Sequence, residues 1–508
     1  MVQGRLVKTF WKDRGWLERA TFFVNMFHGI IENRFFYCDT LTGECKMVEM
    51  ERVEELKMLE NDGNTRDTIV AIATPPGVGA IGIVRASGPH SWRILEECVR
   101  KDIGTERKVR YGNFYDSDGN IIDEVLFVGF KAPRSYTGED MVEVYCHGGI
   151  LVTQKILEEF IKKGARLARN GEFTRRAFLN GKIDLIKAEA ILQIIEAKSE
   201  ESLKLAIDNL KGKLSGEVSA IRKMLIDVLS KIEVTIDYGD DIEIPREEIV
   251  RDIENAVQFL SEKLAHADKG IHITTGVTLA IVGKPNVGKS TLLNRLLVED
   301  RAIVTDIPGT TRDVIKGEIK IRGIHFVISD TAGIRETEDV VEKIGIERAI
   351  REASQADVVL FLLDATTGFT KEDEYILNII KDSNFIAVWN KTDIGNKFSK
   401  VSKDGDDVYI SASTGKGLRT LENKIIERAR PLIEDGQLSH VTTRRQLEHL
   451  KIVYQHLKKA LKSLSGGYPV DIVSIDIQNA LSELDKLLGT NFTDDLLDNI
   501  FANFCVGK

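Results

Sequence analysis

The sequence predicts a multidomain chain that combines α/β and all-α architecture. An α/β domain spans residues 67–182, a helical domain is assembled from two segments, 183–276 and 431–508, and a second α/β domain, 277–430, is inserted between those segments. Three observations point there. Short β-branched runs broken by turn residues fill the first stretch, apolar residues recur every three or four positions on both sides of 277–430, and a strand runs into a Gly-rich loop and a helix at 278–293.

With 508 residues, 43% hydrophobic and 29% charged, the chain can bury several cores, and about 100–200 residues per domain gives three or four of them. The longest apolar runs, such as Val358 to Leu363, are strand-length, far short of the ~18 residues a membrane helix needs, so no membrane partner is expected. Cys38, Cys45, Cys98, Cys146 and Cys505 are odd in number and form no CxxC pair, which argues against a disulfide framework or a zinc site and for a reducing, cytoplasmic compartment. A formal charge of −9 excludes a protein that coats nucleic acid by bulk electrostatics, so any RNA contact must be local or shared with a partner.

Residues 1–66 are rich in Phe and Trp, then turn polar through Glu51-Arg52-Val53-Glu54-Glu55 and Asn61-Asp62-Gly63-Asn64, which reads as a linker. The apolar run Phe22 to Phe27 is broken by Asn25 and followed by His28 with no small-residue cleavage site, unlike a signal peptide. In 67–182, Thr68 to Ala73 and Val125 to Val128 read as strands and Leu151 to Lys163 as the one helical stretch. From Lys187 the period changes. Leu210, Leu214, Val218, Ile221, Leu225, Val228 and Ile232 paint one stripe, and Ile249, Ile253, Val257, Leu260 and Leu264 a second. After Leu438 the pattern returns with Leu447, Leu450, Tyr454, Leu457, Leu461 and Leu464, then Ile477, Leu481, Leu484 and Leu488. Such stripes need covering by other helices, so one domain built from both flanks is the economical reading, with two separate bundles as its alternative.

Between the flanks, Gly283-Lys284-Pro285-Asn286-Val287-Gly288-Lys289-Ser290 follows the strand Thr278 to Val282 and precedes the helix opened by Thr291. That context identifies a P-loop: backbone N–H groups and the helix N-terminus cradle phosphates, Lys289 reaches the β/γ oxygens as a catalytic cation, and Ser290 ligates Mg²⁺. Further elements follow in order. Gly309-Thr310-Thr311-Arg312-Asp313 offers the Thr311 hydroxyl to Mg²⁺, and Asp330-Thr331-Ala332-Gly333 supplies a carboxylate near the metal and an N–H for the γ-phosphate. Asn390-Lys391-Thr392-Asp393 supplies a carboxylate for the guanine N–H edge, which adenine lacks, and Ser411-Ala412-Ser413 fits the loop whose backbone touches the base. Together they predict a Ras-like P-loop G domain that binds and hydrolyses GTP. Ile334 stands where Ras-like enzymes place a water-orienting glutamine, so another polar group and a substitute for the arginine finger are required.

From about Asp67 to Lys508 the chain resembles the tRNA-modification GTPase family known as MnmE or TrmE. The resemblance is carried by Thr74-Pro75-Pro76-Gly77 through Arg85, Tyr136-Thr137-Gly138-Glu139-Asp140, His147-Gly148-Gly149, Gly171-Glu172-Phe173-Thr174 with Arg176 to Asn180, and the terminal Phe504-Cys505-Val506-Gly507-Lys508. It implies a homodimer that joins an FAD-containing partner, MnmG, as a heterotetramer and installs an aminomethyl or carboxymethylaminomethyl group at C5 of the wobble uridine of certain tRNAs. The one-carbon unit comes from a tetrahydrofolate derivative, bound in an N-terminal domain that also dimerises.

Carried over by the same resemblance, the folate contacts fall on Arg85, Glu143, Lys182 and Lys508, a carboxylate for the pterin N–H edge and cations for an anionic tail. The family replaces the arginine finger with K⁺ and G-domain dimerisation. Asn286 matches the K⁺ ligand, and Thr305-Asp306-Ile307-Pro308-Gly309-Thr310 matches the loop that closes over the ion, with Thr305, Ile307 and Thr310 as ligands. Glu342 matches the water-positioning glutamate. Cys505 in the Cys-x-Gly-Lys tail reads equally as a reactive thiolate or as a small buried residue, whereas Cys146 and His147 read as structural.

A G-domain switch in ribosome assembly would share the nucleotide motifs, but would not explain the N-terminal signatures. The basic pairs Arg444-Arg445 and Lys458-Lys459 leave the helical domain equally a tRNA surface or a solvated face. Residues 1–66 have no counterpart in the family pattern. They read either as a misassigned start, with Met50 or Met58 as initiator, or as an added interaction module.

Overall fold

The computed structural model describes residues 34–38, 45–49, 67–104, 106–237, 245–299, 317–328, 356–401, 407–433 and 439–508. The chain forms two compact units, Met1–Asp67 and Thr68–Lys508. In the first, strands β1 (Arg34–Cys38) and β2 (Cys45–Glu49) pair antiparallel, Arg34 opposite Glu49.

The second unit begins with β3 (Ile69–Ile72), β4 (Ile81–Ser87), α1 (Ser91–Val99), β5 (Arg110–Tyr115), β6 (Ile121–Phe130), β7 (Met141–His147), α2 (Ile150–Lys162), β8 (Arg166–Leu167) and α3 (Glu172–Leu179). Its sheet runs β5-β6-β7-β4-β3-β8 and is antiparallel except where β8 joins β3. Strand pleating sends alternate residues to opposite faces. Val84, Ala86, Val142 and Val144 therefore share the core with Ile94, Ile156 and Phe160 from α1 and α2. The expectation of one helical stretch here is corrected, because α1 and α3 are helices too. Each is short, and α3 buries Glu172 and Arg176 in an ion pair beside Phe173 and Ala177, so charged residues interrupt its apolar face.

Helices α4 (Leu185–Glu196), α5 (Glu200–Leu210), α6 (Lys213–Asp237), α7 (Arg246–Ala265) and α8 (Ala267–Thr275) follow. Leu210 does not belong to the long stripe: it is exposed at the end of α5, and Gly212, with a left-handed φ of +91°, separates it from α6. Next come β9 (Val277–Val282), α9 (Lys289–Glu299), β10 (Gly317–Ile321), β11 (Ile324–Ile328), β12 (Val358–Asp364), α10 (Lys371–Ile380), β13 (Phe385–Asn390), β14 (Val408–Tyr409) and α11 (Leu418–Ile433). This sheet runs β10-β11-β9-β12-β13-β14 and is parallel apart from the β10–β11 pair. Every residue of β12 is buried, as expected for a parallel strand covered on both faces.

The chain ends in α12 (Arg444–Ser465), α13 (Val470–Leu488) and α14 (Asp494–Phe501). One apolar core takes Leu214, Val218, Ile221, Leu225, Ile253 and Leu260 from before the insertion and Leu447, Leu450, Leu457, Ile477 and Leu484 from after it. Each such side chain gains about 1.5–3 kcal/mol on full burial, so neither flank could leave its stripe in water. The two crossings touch: a Cβ on Gly270 of α8 would lie 2.2 Å from Val441 O and 2.7 Å from Ser439 O. Among the described residues no helix is long and apolar enough to cross a membrane.

Candidate functional site

The Gly-rich loop leaves the carboxyl end of β9, which lies between β11 and β12, the place where open parallel sheets hold ligands. Its glycines are needed for close approach. A Cβ on Gly288 (φ +100°) would fall 2.3 Å from Asn390 Nδ2, and one on Gly283 2.5 Å from Leu362 O. Asn286 takes a left-handed φ of 61°, which Asn tolerates better than most residues, and is exposed. Val287 is fully buried and anchors the loop in the core. Lys289 opens α9, and its half-buried ammonium donates to Gly283 O (2.9 Å) and Lys284 O (3.0 Å). Burial holds its pKa below the ordinary lysine range. Ser290 and Thr291 follow, exposed, in the first turn, where unpaired N–H groups and the helix dipole favour anions.

One buried amide joins this loop to the base-reading loops. Asn390, at the end of β13, donates from Nδ2 to Val287 O (2.8 Å), and its Oδ1 accepts from Ala412 N (2.9 Å). Lys391, at φ 62°, donates to Asn286 O and to Asp364 Oδ2, each at 2.7 Å. Burial pushes the Asp364 carboxyl up, but the bonds from Lys391 and Thr366 outweigh it and keep the group below the usual carboxylate range. Thr392 N donates to Ile410 O (3.1 Å), the Ser411 and Ser413 hydroxyls lie 3.0 Å apart, and Arg295 of α9 donates to Ser413 O (2.5 Å) and Ala412 O (3.3 Å). Asp393 is exposed on the loop that these contacts pin. Sequence reading missed Asp364 and Arg295, which belong to no motif; only their bonds to the loops reveal them. Residues 305–311, 330–334 and Glu342 lie outside the described residues.

A second cluster forms on the other α/β domain. Arg85 on β4 stands opposite Glu143 on β7, on the face turned away from Val84 and Val144. Arg85 Nη2 meets Glu143 Oε1 at 2.9 Å, Tyr145 OH donates to Glu143 Oε2 (2.6 Å), and Arg85 Nη1 donates to Gly507 O (3.1 Å). Burial and the bond to Glu143 push the Tyr145 phenol up to about 12. Arg85 Nε is buried with no hydrogen-bond partner. The C-terminal tail closes this cluster. Phe504 is buried, Asn170 bridges Val506, and Phe173 N donates to Lys508 O (3.1 Å). Gly507, at φ +96°, passes so near β3 that a Cβ would lie 2.6 Å from Ile72 O. The Lys508 ammonium is thereby set near Arg85, and burial, then the Arg85 charge, lower its pKa.

Of the four expected contacts, Arg85, Glu143 and Lys508 come together. Lys182 donates instead to Pro133 O (3.0 Å), beside Gly138. Cys505 is exposed, which removes the reading as a small buried residue. Cys146 is buried, its thiol pushed up to about 11 by burial and then by Asp123. Arg445 is no surface cation: its guanidinium is clasped by Glu189 at 2.7 and 3.0 Å in the helical core. Lys459 and Arg444 stay exposed, each beside a carboxylate, Asp476 (3.0 Å) and Asp268 (3.6 Å).

A phosphate loop stapled by one amide to a guanine-selective loop is the equipment of a P-loop GTP hydrolase, and that is the class the inserted domain defines. Comparison with known proteins gives the family. A model described as the MnmE helical domain matches residues 185–505, and one described as the GTP-binding protein TrmE N-terminus matches 68–182. Proteins named tRNA modification GTPase MnmE are similar at 67% identity in Fervidobacterium nodosum (89% of this chain, 100% of that one), 56% in Thermosipho melanesiensis and 53% in Thermotoga maritima (each 87% and 100%). The chain belongs to the MnmE family of tRNA modification GTPases.

Proposed function

We propose that this chain is a K⁺-dependent, dimerisation-activated GTPase of the cytoplasm. With an FAD-containing MnmG partner it installs an aminomethyl or carboxymethylaminomethyl group at C5 of the wobble uridine of certain tRNAs, using a tetrahydrofolate one-carbon unit. The observation that carries this reading is the Arg85–Glu143–Lys508 cluster, built by threading the chain's last residues into its first α/β domain, in the same chain as a guanine site. A ribosome-assembly switch would need only the second.

At the guanine site, Lys289 exchanges the Gly283 and Lys284 carbonyls for phosphate oxygens, while N–H groups of the loop and of the first turn of α9 oppose the phosphate charge. Asp393 accepts from the guanine N–H edge and leaves adenine unmatched. The exposed Ser290 hydroxyl at the helix start suits a hard cation, so Ser290 and Thr311 would hold Mg²⁺, which neutralises phosphate charge when bound. Asn286, exposed and left-handed, with Thr305, Ile307 and Thr310, would hold K⁺, which supplies the positive charge that an arginine finger brings elsewhere. Glu342 orients water in place of the glutamine that Ile334 replaces.

At the second cluster, the buried and unpartnered Arg85 Nε and the crowded Lys508 ammonium both favour an incoming anion, and Glu143 offers an acceptor, so these residues fit a folate. Lys182 would complete the set. The folate derivative would supply the carbon unit, and the exposed Cys505 thiol, whose charge is felt by the Lys508 ammonium, would be available to take part. Mass spectrometry of wobble nucleosides from cells lacking this protein tests the reading: loss of the modified uridine is expected, and an unchanged wobble uridine overturns it.

A further inference from the structure

We propose that Lys284 and Asp373 form a strut that sets the position of the phosphate loop, which makes both of them positioning residues for guanine-nucleotide binding. The inference rests on the reading of the inserted domain as a GTP site.

Lys284 is the second residue of the Gly-rich loop, and its side chain turns away from the phosphate side toward the start of α10. Its ammonium donates to Asp373 Oδ2 (2.9 Å), Thr367 Oγ1 (3.1 Å) and Thr370 Oγ1 (3.2 Å). Asp373 is fully buried. Its Oδ2 also accepts from Thr370 N (2.9 Å) and Thr370 Oγ1 (2.7 Å), closing a capping box, while Oδ1 is buried with no partner. A capping box needs only an acceptor, which a neutral amide provides as well. A buried carboxylate with one oxygen unsatisfied is a costly way to cap a helix, and the cation from the phosphate loop is what balances it.

The segment from Asp364 to Asp373 grips the loop a second time. Asp364 holds Lys391, whose ammonium also binds Asn286 O. The loop is thus held at Lys284 directly and at Asn286 through Lys391. The consequence falls on Lys289, because Lys284 O is one of the two carbonyls on which its ammonium rests. Freeing the Lys284 side chain frees that carbonyl and the N–H groups beside it, and displacements of even ~1 Å matter for groups that must converge on phosphate oxygens. Because the loop holds the phosphates before and during hydrolysis alike, the loss falls on KM and nucleotide release more than on kcat.

The test uses the full-length chain with Lys284→Met, Asp373→Asn and Lys284→Arg, measuring release of a fluorescent GDP analogue, steady-state GTP hydrolysis and melting temperature. Lys284→Met and Asp373→Asn should each release the analogue at least about tenfold faster and raise KM in proportion, with a smaller change in kcat, and Lys284→Arg should restore release. A folded Lys284→Met or Asp373→Asn chain with wild-type release overturns the proposal, whatever its melting temperature, because a purely structural pair would move only that. Should Lys284→Met fail to fold, Asp373→Asn decides alone, since it is nearly isosteric and still accepts the capping N–H. A wild-type chain that does not retain the guanine analogue sinks the GTP reading itself; a wild type that binds, beside variants that release normally, sinks only the strut.

Discussion

The two α/β domains build their sites in opposite ways. In the inserted domain each functional group sits within a few residues of the end of a parallel strand, and the neighbours Asn390 and Lys391 connect the phosphate loop to the base loop. In the first domain the groups come from the middle of two antiparallel strands and from the chain terminus, so that Arg85 reaches Gly507 across 422 residues of sequence. A site at strand ends keeps its chemistry in short contiguous motifs. A site on a sheet face, completed by a returning tail, spreads it over the whole chain.

The largest expected effect breaks the compact site at its buried staple, Asn390. Asn390→Ala leaves the buried Val287 carbonyl and Ala412 N–H without a partner, which should cost about 2–4 kcal/mol and abolish guanine-nucleotide retention. Thermal denaturation of the nucleotide-free chain would show a fall in melting temperature, and an unchanged melt would mean that the staple is dispensable.

A smaller effect is expected from Glu143→Gln in the dispersed site, where Arg85 keeps Gly507 O but loses its charged partner. Calorimetry should show a loss of folate affinity and a destabilisation of about 1–3 kcal/mol, with GTP hydrolysis in the absence of partner and tRNA retained. If hydrolysis fell along with folate binding, the two sites would not be separable in the way their construction suggests.

The smallest effect probes the seam where the inserted domain meets the helices. His325 on β11 faces Lys198, Glu318 and Lys320; burial, then Lys198, hold its pKa below the ordinary histidine value, against the pull of Glu318. The folded chain therefore favours neutral His325. That contribution to stability is fully present above about pH 6.5 and is lost as pH falls from there through the lower folded-state value. His325→Gln should flatten this part of the stability profile, by about 1 kcal/mol or less, in chemical denaturation at pH 7.5 and 5.5.

The same contrast explains what could be read in the sequence. The Gly-rich loop and Asn390 to Asp393 were legible because their spacing is local, and the stripes through Leu225 and Leu457 because helical period and burial coincide. Arg85, Glu143 and Lys508 carry no mutual spacing and came only from family resemblance. Tyr145 and Phe173, which complete their surroundings, gave no signal as partners of that cluster. Helix α3 was missed because it is only eight residues long and its buried face mixes an ion pair with Phe173 and Ala177, and Leu210 was misassigned because a period says nothing of a left-handed glycine two residues later. Arg445 shows the reverse failure: a charge read as surface is buried against Glu189, a pairing between residues on opposite sides of the insertion.

The contact of Gly270 with Val441 and Ser439 brings the entry to the inserted domain and the exit from it to one point. Seen from the helical scaffold, the whole GTPase is then a long surface loop whose ends already meet, and lengthening such a loop raises its closure entropy only logarithmically. A scaffold built this way can acquire a large enzyme without reordering its own helices. Any motion of that enzyme reaches the scaffold through two adjoining strands of chain and the seam beside them, where Lys198 meets Glu318 and His272 meets Asp357, rather than through two distant hinges.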